Sequence, residues 1–374
     1  MNKRAIAILG GIFILIVATL GFLIYTKTKK TTPVEETVVE TPVVEETPAT
    51  EVPPAEPTSQ AVRLTDDAVV SPVLFYQGNG ISYFNSNGQL FQTDLQVSDG
   101  SALLSNKREL SIANKTGINR ILWPQAGNGF IAETGSASKP WYNFYDSVKA
   151  SYVELPEQMY SVDWMPSGDK IMYVWVDVNG KASLNISNPD GTGFQTVTNF
   201  WESDNIIKVS PDGRNVLFYR NQTIDNSKNT IEMVSSDGKT FTTVVKDGYN
   251  TGVLWSPDSR KFLFTKRDSN GKFGLWVADI ATGEVRDLNV STSVNKVVWT
   301  KDSSAVFAGV PTTNSSSQSL TQDSIFKISI SDSQQTEIAP GIPVDVENLF
   351  LSSDEGILFF RNAQDNSLYY IPAI

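Results

Sequence analysis

Short runs of alternating apolar and polar residues, separated by turn residues, fill the chain from residue 61 onward. The clearest copy has Trp255 at the end of one run, a polar turn at Ser256–Ser259, and a second run at Lys261–Phe264. Two β-prone runs joined by a turn that contains proline and aspartate predict a hairpin. Two further strands are predicted at Phe273–Ile280 and Glu284–Leu288. Four antiparallel strands in roughly 45 residues are typical of one propeller blade.

The same pattern occurs seven times, with 41 to 52 residues between successive copies. The residue before each turn lies near positions 75, 123, 164, 209, 255, 299 and 351. Short strands at regular spacing, with almost no helical periodicity, predict an all-β fold. We therefore predict a seven-bladed β-propeller of four-stranded antiparallel blades over residues 61–374. Six blades are the alternative, if the degenerate first copy lies outside the ring.

The two ends of the repeat region indicate how the ring closes. The seventh copy has its third strand at Leu368–Ile371 and no outer strand after it. A spare strand at Ala61–Thr65 precedes the first copy and resembles the outer strand Glu284–Leu288. We predict that residues 61–65 complete the last blade, because a ring closed in this way has no end blade with a bare edge.

The residue before each turn is predicted to be structural. An aromatic side chain on an inner strand would pack between neighbouring blades rather than stack on a ligand. The Pro-Asp pair favours a type I turn, since proline fixes φ and aspartate accepts hydrogen bonds from nearby backbone N–H groups. The tryptophans assigned to this core are Trp123, Trp164, Trp255 and Trp299.

These repeats resemble the Pro-Asp repeats of the TolB-like and WD-repeat-like β-propeller families. The resemblance rests on the turns at Trp255–Ser259 and Val209–Gly213 and on the third strand Leu275–Ile280. It implies a fold and not a function, because one propeller fold hosts many roles. TolB-like proteins place an α/β domain before the propeller, whereas this chain has an apolar run and a tether there, so a Tol-Pal role is not implied.

The N-terminal 30 residues predict a membrane anchor. Ala5–Tyr25 is an uncharged, mostly apolar run of 21 residues, which as a helix spans about 30 Å, the thickness of a bilayer core. We predict an uncleaved transmembrane helix, with a cleaved signal peptide as the alternative. A large domain behind a short basic N-terminus usually translocates, so the propeller is predicted on the extracytoplasmic side of the cell membrane.

Residues 31–60 predict a disordered linker. They contain six prolines, seven glutamates, seven threonines and no lysine or arginine. This composition cannot bury a core and favours an extended, self-repelling tether between the anchor and the propeller.

Composition restricts the chemistry. The formal charge of −11 argues against a nucleic-acid partner, since phosphates would be repelled. The chain has no histidine and no cysteine, and it lacks a nucleophile elbow and a phosphate-binding loop. Asp177–Gly180 and Asp268–Gly271 lack the spacing of calcium loops and fit hairpin turns. We therefore predict no catalytic residue, no metal and no cofactor, and a protein that is not an enzyme.

The predicted functional surface is the ring face whose loops enter the inner strands. The candidate binding residues on these loops are Tyr160, Trp201, Glu202, Tyr249 and Asn250. Tyrosine and tryptophan on loops can anchor a partner, although they can equally cover the rim of the ring core. The sequence thus predicts a binding or scaffold module of the cell envelope, with an envelope protein or a surface polymer as its partner. The alternatives are a polysaccharide hydrolase or lyase that uses pocket carboxylates, and a purely structural spacer.

Overall fold

The structure is a computed structural model that describes residues 61–110, 112, 115–127, 129–200, 202–220, 229–267, 273–312 and 321–373. The predicted transmembrane helix at 5–25 and the predicted linker at 31–60 lie outside the described residues. In the part of the chain that is described, no helix has the length and apolarity needed to cross a membrane.

The first strand, β1 (Val62–Arg63), precedes three blades whose four strands pair antiparallel in chain order. Blade 1 contains β2 (Val70–Phe75), β3 (Gly80–Phe84), β4 (Leu90–Ser98) and β5 (Ser101–Leu110), with a 3-10 turn at Tyr76–Gly78. Blade 2 contains β6 (Ile118–Leu122), β7 (Gly129–Ser136), β8 (Lys139–Asp146) and β9 (Ser151–Glu154). Blade 3 contains β10 (Met159–Trp164), β11 (Ile171–Val176), β12 (Ala182–Ser187) and β13 (Gln195–Phe200).

Blades 4 and 5 share a long strand. Blade 4 contains β14 (Asn205–Val209), β15 (Asn215–Arg220), β16 (Asn229–Ser235) and the first half of β17 (Phe241–Trp255). Blade 5 contains the second half of β17, then β18 (Lys261–Arg267), β19 (Phe273–Asp279) and β20 (Val285–Asp287). Blade 6 contains a 3-10 turn at Val294–Lys296, β21 (Val297–Trp299), β22 (Ala305–Pro311), β23 (Asp323–Ser329) and β24 (Gln335–Ile342). Blade 7 contains β25 (Val346–Leu351), β26 (Ile357–Asn362) and β27 (Leu368–Pro372).

The fourth strand of blade 7 comes from the other end of the described chain. β1 pairs antiparallel with β27, with Val62 opposite Tyr370. The pairing continues where the Leu64 N–H donates to the Leu368 carbonyl at 2.8 Å and the Leu368 N–H donates to Thr65 Oγ1 at 3.0 Å. The described residues therefore form seven four-stranded blades, which confirms the predicted all-β propeller.

The predicted tryptophan core is confirmed for three of its four members, while Trp123 is half-buried and packs against the apolar cluster between blades 1 and 2. The exposed fractions of Trp164, Trp255 and Trp299 are 6–8%. The indole N–H of Trp164 donates to the Leu122 carbonyl at 2.8 Å, and the indole N–H of Trp255 donates to the Lys208 carbonyl at 3.0 Å. Each bond reaches the inner strand of the preceding blade, so these side chains fix the spacing between blades as well as filling it.

The Pro-Asp turns connect blades in the same way. Asp258 Oδ1 accepts the Ser256 hydroxyl at 2.6 Å and the Arg260 N–H at 3.0 Å, which closes the turn on itself. The Asp258 N–H donates to Ser303 Oγ, in the corresponding turn of the next blade, at 3.2 Å. The Asp258 carboxylate thus has the architectural role that the sequence predicted.

Candidate functional site

Charged side chains of blades 2, 3 and 4 meet near the centre of the ring. Arg120 lies on β6, Asp163 on β10 and Lys208 on β14, which are the inner strands of these blades. Glu133 lies on β7, opposite Arg120 in the register of blade 2. Lys208 interacts electrostatically with all three of the others. The inner strands of a propeller surround its central channel, so these four residues are named the channel cluster.

Arg120 and Glu133 form an ion pair, with Arg120 Nη2 lying 2.6 Å from Glu133 Oε2. The exposed fractions of their side chains are 48% and 16%, so about half of the Arg120 side chain is exposed while that of Glu133 is mostly covered. A guanidinium has five N–H donors in a planar fork, and this pair uses the donor on Nη2. Arg120 is therefore suited to bind a second anionic or polar group within the channel.

Asp163 connects the inner strands of blades 3 and 4. Its Oδ2 accepts the Val209 N–H at 2.9 Å, and its Oδ1 accepts the N–H of the adjacent Trp164 at 3.1 Å. Ser161, two residues earlier, accepts the Ile207 N–H at 3.1 Å. These side chains satisfy backbone donors at the open inner edge of β14. The position of the Asp163 carboxylate is consequently well fixed.

Lys208 is half-buried and forms no ion pair with any carboxylate of the described residues. Asp163 favours the charged ammonium, but burial and the Arg120 guanidinium outweigh it, so that the pKa of Lys208 is lowered. A lysine with a lowered pKa can accept a proton, which is the property required of a general base.

Two buried tyrosines lie beside the channel cluster. The Tyr142 hydroxyl donates to the Tyr160 carbonyl at 3.1 Å. Burial raises the pKa of Tyr142, and it raises the pKa of Tyr219 to about 12. Both phenols therefore stay protonated at neutral pH and present neutral groups beside the charged ones.

The donor set for a metal ion is small. The channel cluster contributes two carboxylates, those of Glu133 and Asp163, and both are already bonded to protein groups. Among the described residues there is no group of three or more acidic side chains that could hold a metal ion.

The predicted binding residues lie on or near blades 3, 4 and 5. Tyr160 is half-buried on β10 and packs against the apolar cluster between blades 3 and 4. Glu202 is exposed, and its carbonyl accepts the Asn205 amide at 2.8 Å. Trp201 lies outside the described residues. For Tyr249 and Asn250 the structure describes the backbone, which lies within β17 with Tyr249 opposite Thr265. The binding role of these five residues stays a prediction.

The channel cluster was not predicted, although the aligned repeats carry a signal for it. Asp163 and Lys208 occupy the same position, immediately before Trp164 and Val209 at the start of the turn. In four other copies, that position holds an apolar residue: Leu122, Leu254, Val298 or Phe350. A charged residue at a repeat position that is otherwise apolar indicates a local function, and the comparison of copies would have revealed it.

No model of a known protein family matches the chain, and no curated protein matches it. Many solved structures are similar to it, and two of them are an oligogalacturonate lyase and the tricorn protease. An oligogalacturonate lyase in complex with manganese aligns with a TM-score of 0.57 and 12% identity, over 84% of this chain and 93% of the lyase. The tricorn protease aligns with a TM-score of 0.51 and 11% identity, over 85% of this chain, which spans 34% of the protease. At such identities the likeness shows the fold alone.

The prediction that this chain is not an enzyme is corrected by these comparisons. Both solved structures are enzymes, and both share the propeller fold with this chain. The channel cluster also gathers carboxylates, an arginine and a lysine, so the lack of histidine and cysteine does not place the chain outside catalysis. The chain is a seven-bladed β-propeller whose fold is also that of these two enzymes.

Proposed function

We propose that this chain is a single-pass membrane protein whose propeller binds a partner on the extracytoplasmic side of the cell membrane. The partner is another envelope protein or a surface polymer. The proposal is supported by the apolar run Ala5–Tyr25, by the acidic tether at 31–60, and by the resemblance of the repeats to TolB-like propellers.

The channel cluster is the observation that carries the binding role. Partly burying charged groups is costly unless they are paired, and Lys208 interacts with the Asp163 carboxylate without forming an ion pair within 4.0 Å among the described residues. Arg120 keeps about half of its side chain open to solvent, at 48%. Incompletely paired charges lower the stability of the fold, and residues that do so are expected mainly at functional sites. The presence of Arg120 and Lys208 therefore favours recognition of a polar ligand.

The proposed binding surface extends from the channel cluster onto the neighbouring loops. Tyr160 lies three residues before Asp163, and Glu202 lies six residues before Lys208. Tyr160 on β10 and Glu202 before β14 therefore belong to the same blades that supply two charges of the cluster. The proposed contacts on this surface are Tyr160, Trp201, Glu202, Tyr249 and Asn250.

A cross-linking experiment on solubilised envelopes tests this proposal. Partners captured by the full-length chain are compared with those captured by an Arg120→Met, Lys208→Met variant and by a Trp201→Ala, Tyr249→Ala variant. We expect both variants to lose a partner that Phe241→Ala retains, because Phe241 is a half-exposed aromatic on the outer strand of blade 4. Identical partner sets for all four proteins would contradict the proposed surface.

The proposed topology is tested separately. Protease added outside spheroplasts should digest the propeller and leave a membrane-embedded N-terminal fragment. A propeller that resists digestion in intact spheroplasts and is cleaved only after lysis would place it on the cytoplasmic side.

The second candidate is a hydrolase or lyase that acts on polysaccharide. It is favoured by the lowered pKa of Lys208 beside an open arginine, since a base and a cation that binds an acidic sugar are the groups that β-elimination requires. Incubation with polyuronates, followed by the ultraviolet absorbance of unsaturated products, tests this candidate. Activity that disappears in Lys208→Met would establish it, and no product from any polyuronate would remove it.

A further inference from the structure

Blade 3 contains a cavity of about 260 Å³ on the flank that faces blade 2. Side chains of β11, β12 and β13 form its wall, and the pairing of these strands aligns them. Tyr173 lies opposite Asn185, which in turn lies opposite Thr196, and Trp175 lies opposite Ser183. Side chains at paired positions of antiparallel strands point to the same face, so these residues form two adjacent rows. None of them belongs to the channel cluster.

The wall of this cavity is mainly apolar and aromatic. Tyr173 and Met159 form its floor, with exposed fractions of 2% and 1%. Trp175 is half-buried. Phe194, on the loop after β12, stands at the rim with an exposed fraction of 68%. An aromatic side chain this exposed beside a preformed cavity is typical of a binding site for a small ring.

Asn185 supplies a specific polar requirement. It is 3% exposed, and its amide nitrogen donates to Ser183 Oγ at 3.1 Å. Asn185 lines the cavity, and its buried Oδ1 atom has no hydrogen-bond partner among the described residues. A buried acceptor without a partner destabilises the folded protein by about 1–3 kcal/mol. A ligand that donates one N–H or O–H at this point removes that cost.

The remaining chemistry of the wall restricts the ligand further. No residue that lines the cavity carries a charge, so the ligand is neutral. A proline ring would suit the aromatic wall but has no N–H to donate to Asn185. A plain hexose brings many hydroxyl groups, whereas the polar side-chain groups of the wall are the amide of Asn185, the hydroxyls of Tyr173, Ser183 and Thr196, and the indole N–H of Trp175.

We propose that this cavity binds a neutral sugar with an acetamido substituent, that is, an N-acetylhexosamine unit of a polysaccharide. The amide N–H donates to Asn185 Oδ1, the methyl group packs on Tyr173 and Met159, and the sugar ring stacks on Trp175 or Phe194. The acetamido group carries one N–H donor next to one methyl group. These two groups complement the Asn185 Oδ1 acceptor and the apolar floor formed by Tyr173 and Met159.

Isothermal titration of the full-length chain in detergent tests this proposal. The probe is the β-1,4-linked trimer of N-acetylglucosamine, and the comparison ligands are maltotriose and the deacetylated glucosamine trimer. We expect the acetylated trimer to bind at least tenfold more tightly than either comparison ligand. Equal binding of all three, or binding of none, would overturn the proposal.

Matched variants locate the site. Asn185→Leu removes the unpaired acceptor, so it should lower the affinity for the acetylated trimer at least tenfold without lowering the melting temperature. Phe194→Ala should also weaken binding at least tenfold, and it cannot disturb the core because the side chain is exposed. Phe241→Ala is the control and should bind as the wild type does. Unchanged affinity in both Asn185→Leu and Phe194→Ala would contradict the site.

This inference is independent of the proposed function. Arg120→Met, Lys208→Met should leave the affinity for the acetylated trimer unchanged, because the channel cluster lines no part of the cavity. Loss of partner capture in that variant, with sugar binding retained, would separate the two sites.

Discussion

Two groups of charged residues lie on different sides of the ring, and they are satisfied to very different degrees. Between blades 6 and 7, Lys296 Nζ lies 2.7 Å from Asp323 Oδ2 and 2.5 Å from Asp345 Oδ1. Their side chains are 11%, 0% and 10% exposed. Lys296 also donates to Thr321 Oγ1 at 2.9 Å, and the Val346 N–H donates to Asp323 Oδ2 at 2.9 Å. This buried triad is closed on itself.

The channel cluster is the opposite case. Lys208 is half-buried near Asp163 and Arg120 but forms no ion pair among the described residues. The fold fixes the position of Lys208 on β14 but brings no carboxylate of the described residues within ion-pair distance of its ammonium group. The buried triad is thus a clasp that joins two blades through ion pairs, whereas Lys208 of the channel cluster lies outside any ion pair of the described residues.

The largest expected effect on stability comes from removing one carboxylate of the buried triad. Asp323→Ala leaves the Lys296 charge buried with one carboxylate fewer, and should lower the free energy of unfolding by about 3 kcal/mol or more. Asp94→Ala is the control, since it removes an ion pair with Arg108 in which both side chains are more than 40% exposed, at 41% for Asp94 and 42% for Arg108, and should cost only a small fraction of that free energy, because exposed ion pairs contribute little to stability. Urea denaturation measures both. Equal losses would show that the buried triad is no more structural than a partly exposed pair.

The second prediction concerns pH. The pKa of Lys208 in the folded protein lies below its ordinary value of 10.5. Between those two values the unfolded chain binds a proton that the folded protein does not, so the contribution of Lys208 to stability rises with pH across that window. Lys208→Met should therefore be more stable than the wild type at neutral pH, and its advantage should shrink as pH approaches 10.5. Urea denaturation at a series of pH values measures this, and a constant difference would contradict the lowered pKa.

The smallest expected effect lies within the channel cluster. Asp163→Asn keeps an acceptor for the Val209 N–H but removes the charge that favours the Lys208 ammonium, so the pKa of Lys208 should fall further. Ser161→Ala removes a neighbouring acceptor, should cost about 1 kcal/mol, and should leave that pKa unchanged. Nuclear magnetic resonance titration of labelled lysine side chains distinguishes the two. A pKa that moves equally in both variants would mean that packing, and not the Asp163 charge, controls Lys208.

Much of the fold could be predicted from the sequence because each blade repeats the same local rule. The turn after Trp255 has the same chemistry as the turn after Val209, so counting turns counts blades. The prediction that the chain is not an enzyme was wrong because it depended on residue types that are absent, whereas two enzymes share the propeller fold of this chain.

The two candidate sites were harder to predict, for separate reasons. Asp163 and Lys208 stand at a repeat position that is apolar in other copies. An alignment of the repeats emphasises what the copies share, whereas these two residues are found only by asking where the copies differ. The acceptor of Asn185 depends on the register that places it beside Tyr173 and Thr196. No local pattern encodes that three-strand register.

The pairing of β1 with β27 has a consequence for the order in which the molecule is made. The closing contact between Arg63 and Ser367 joins residues 304 positions apart. During synthesis the first strand of the ring is produced first and receives its partner last, after all seven blades have emerged. Closing so long a loop raises the contact order and slows the final step. Until then both β1 and β27 present unpaired edges, so the nascent chain depends on the rapid arrival of its own C-terminal blade to avoid pairing with another chain.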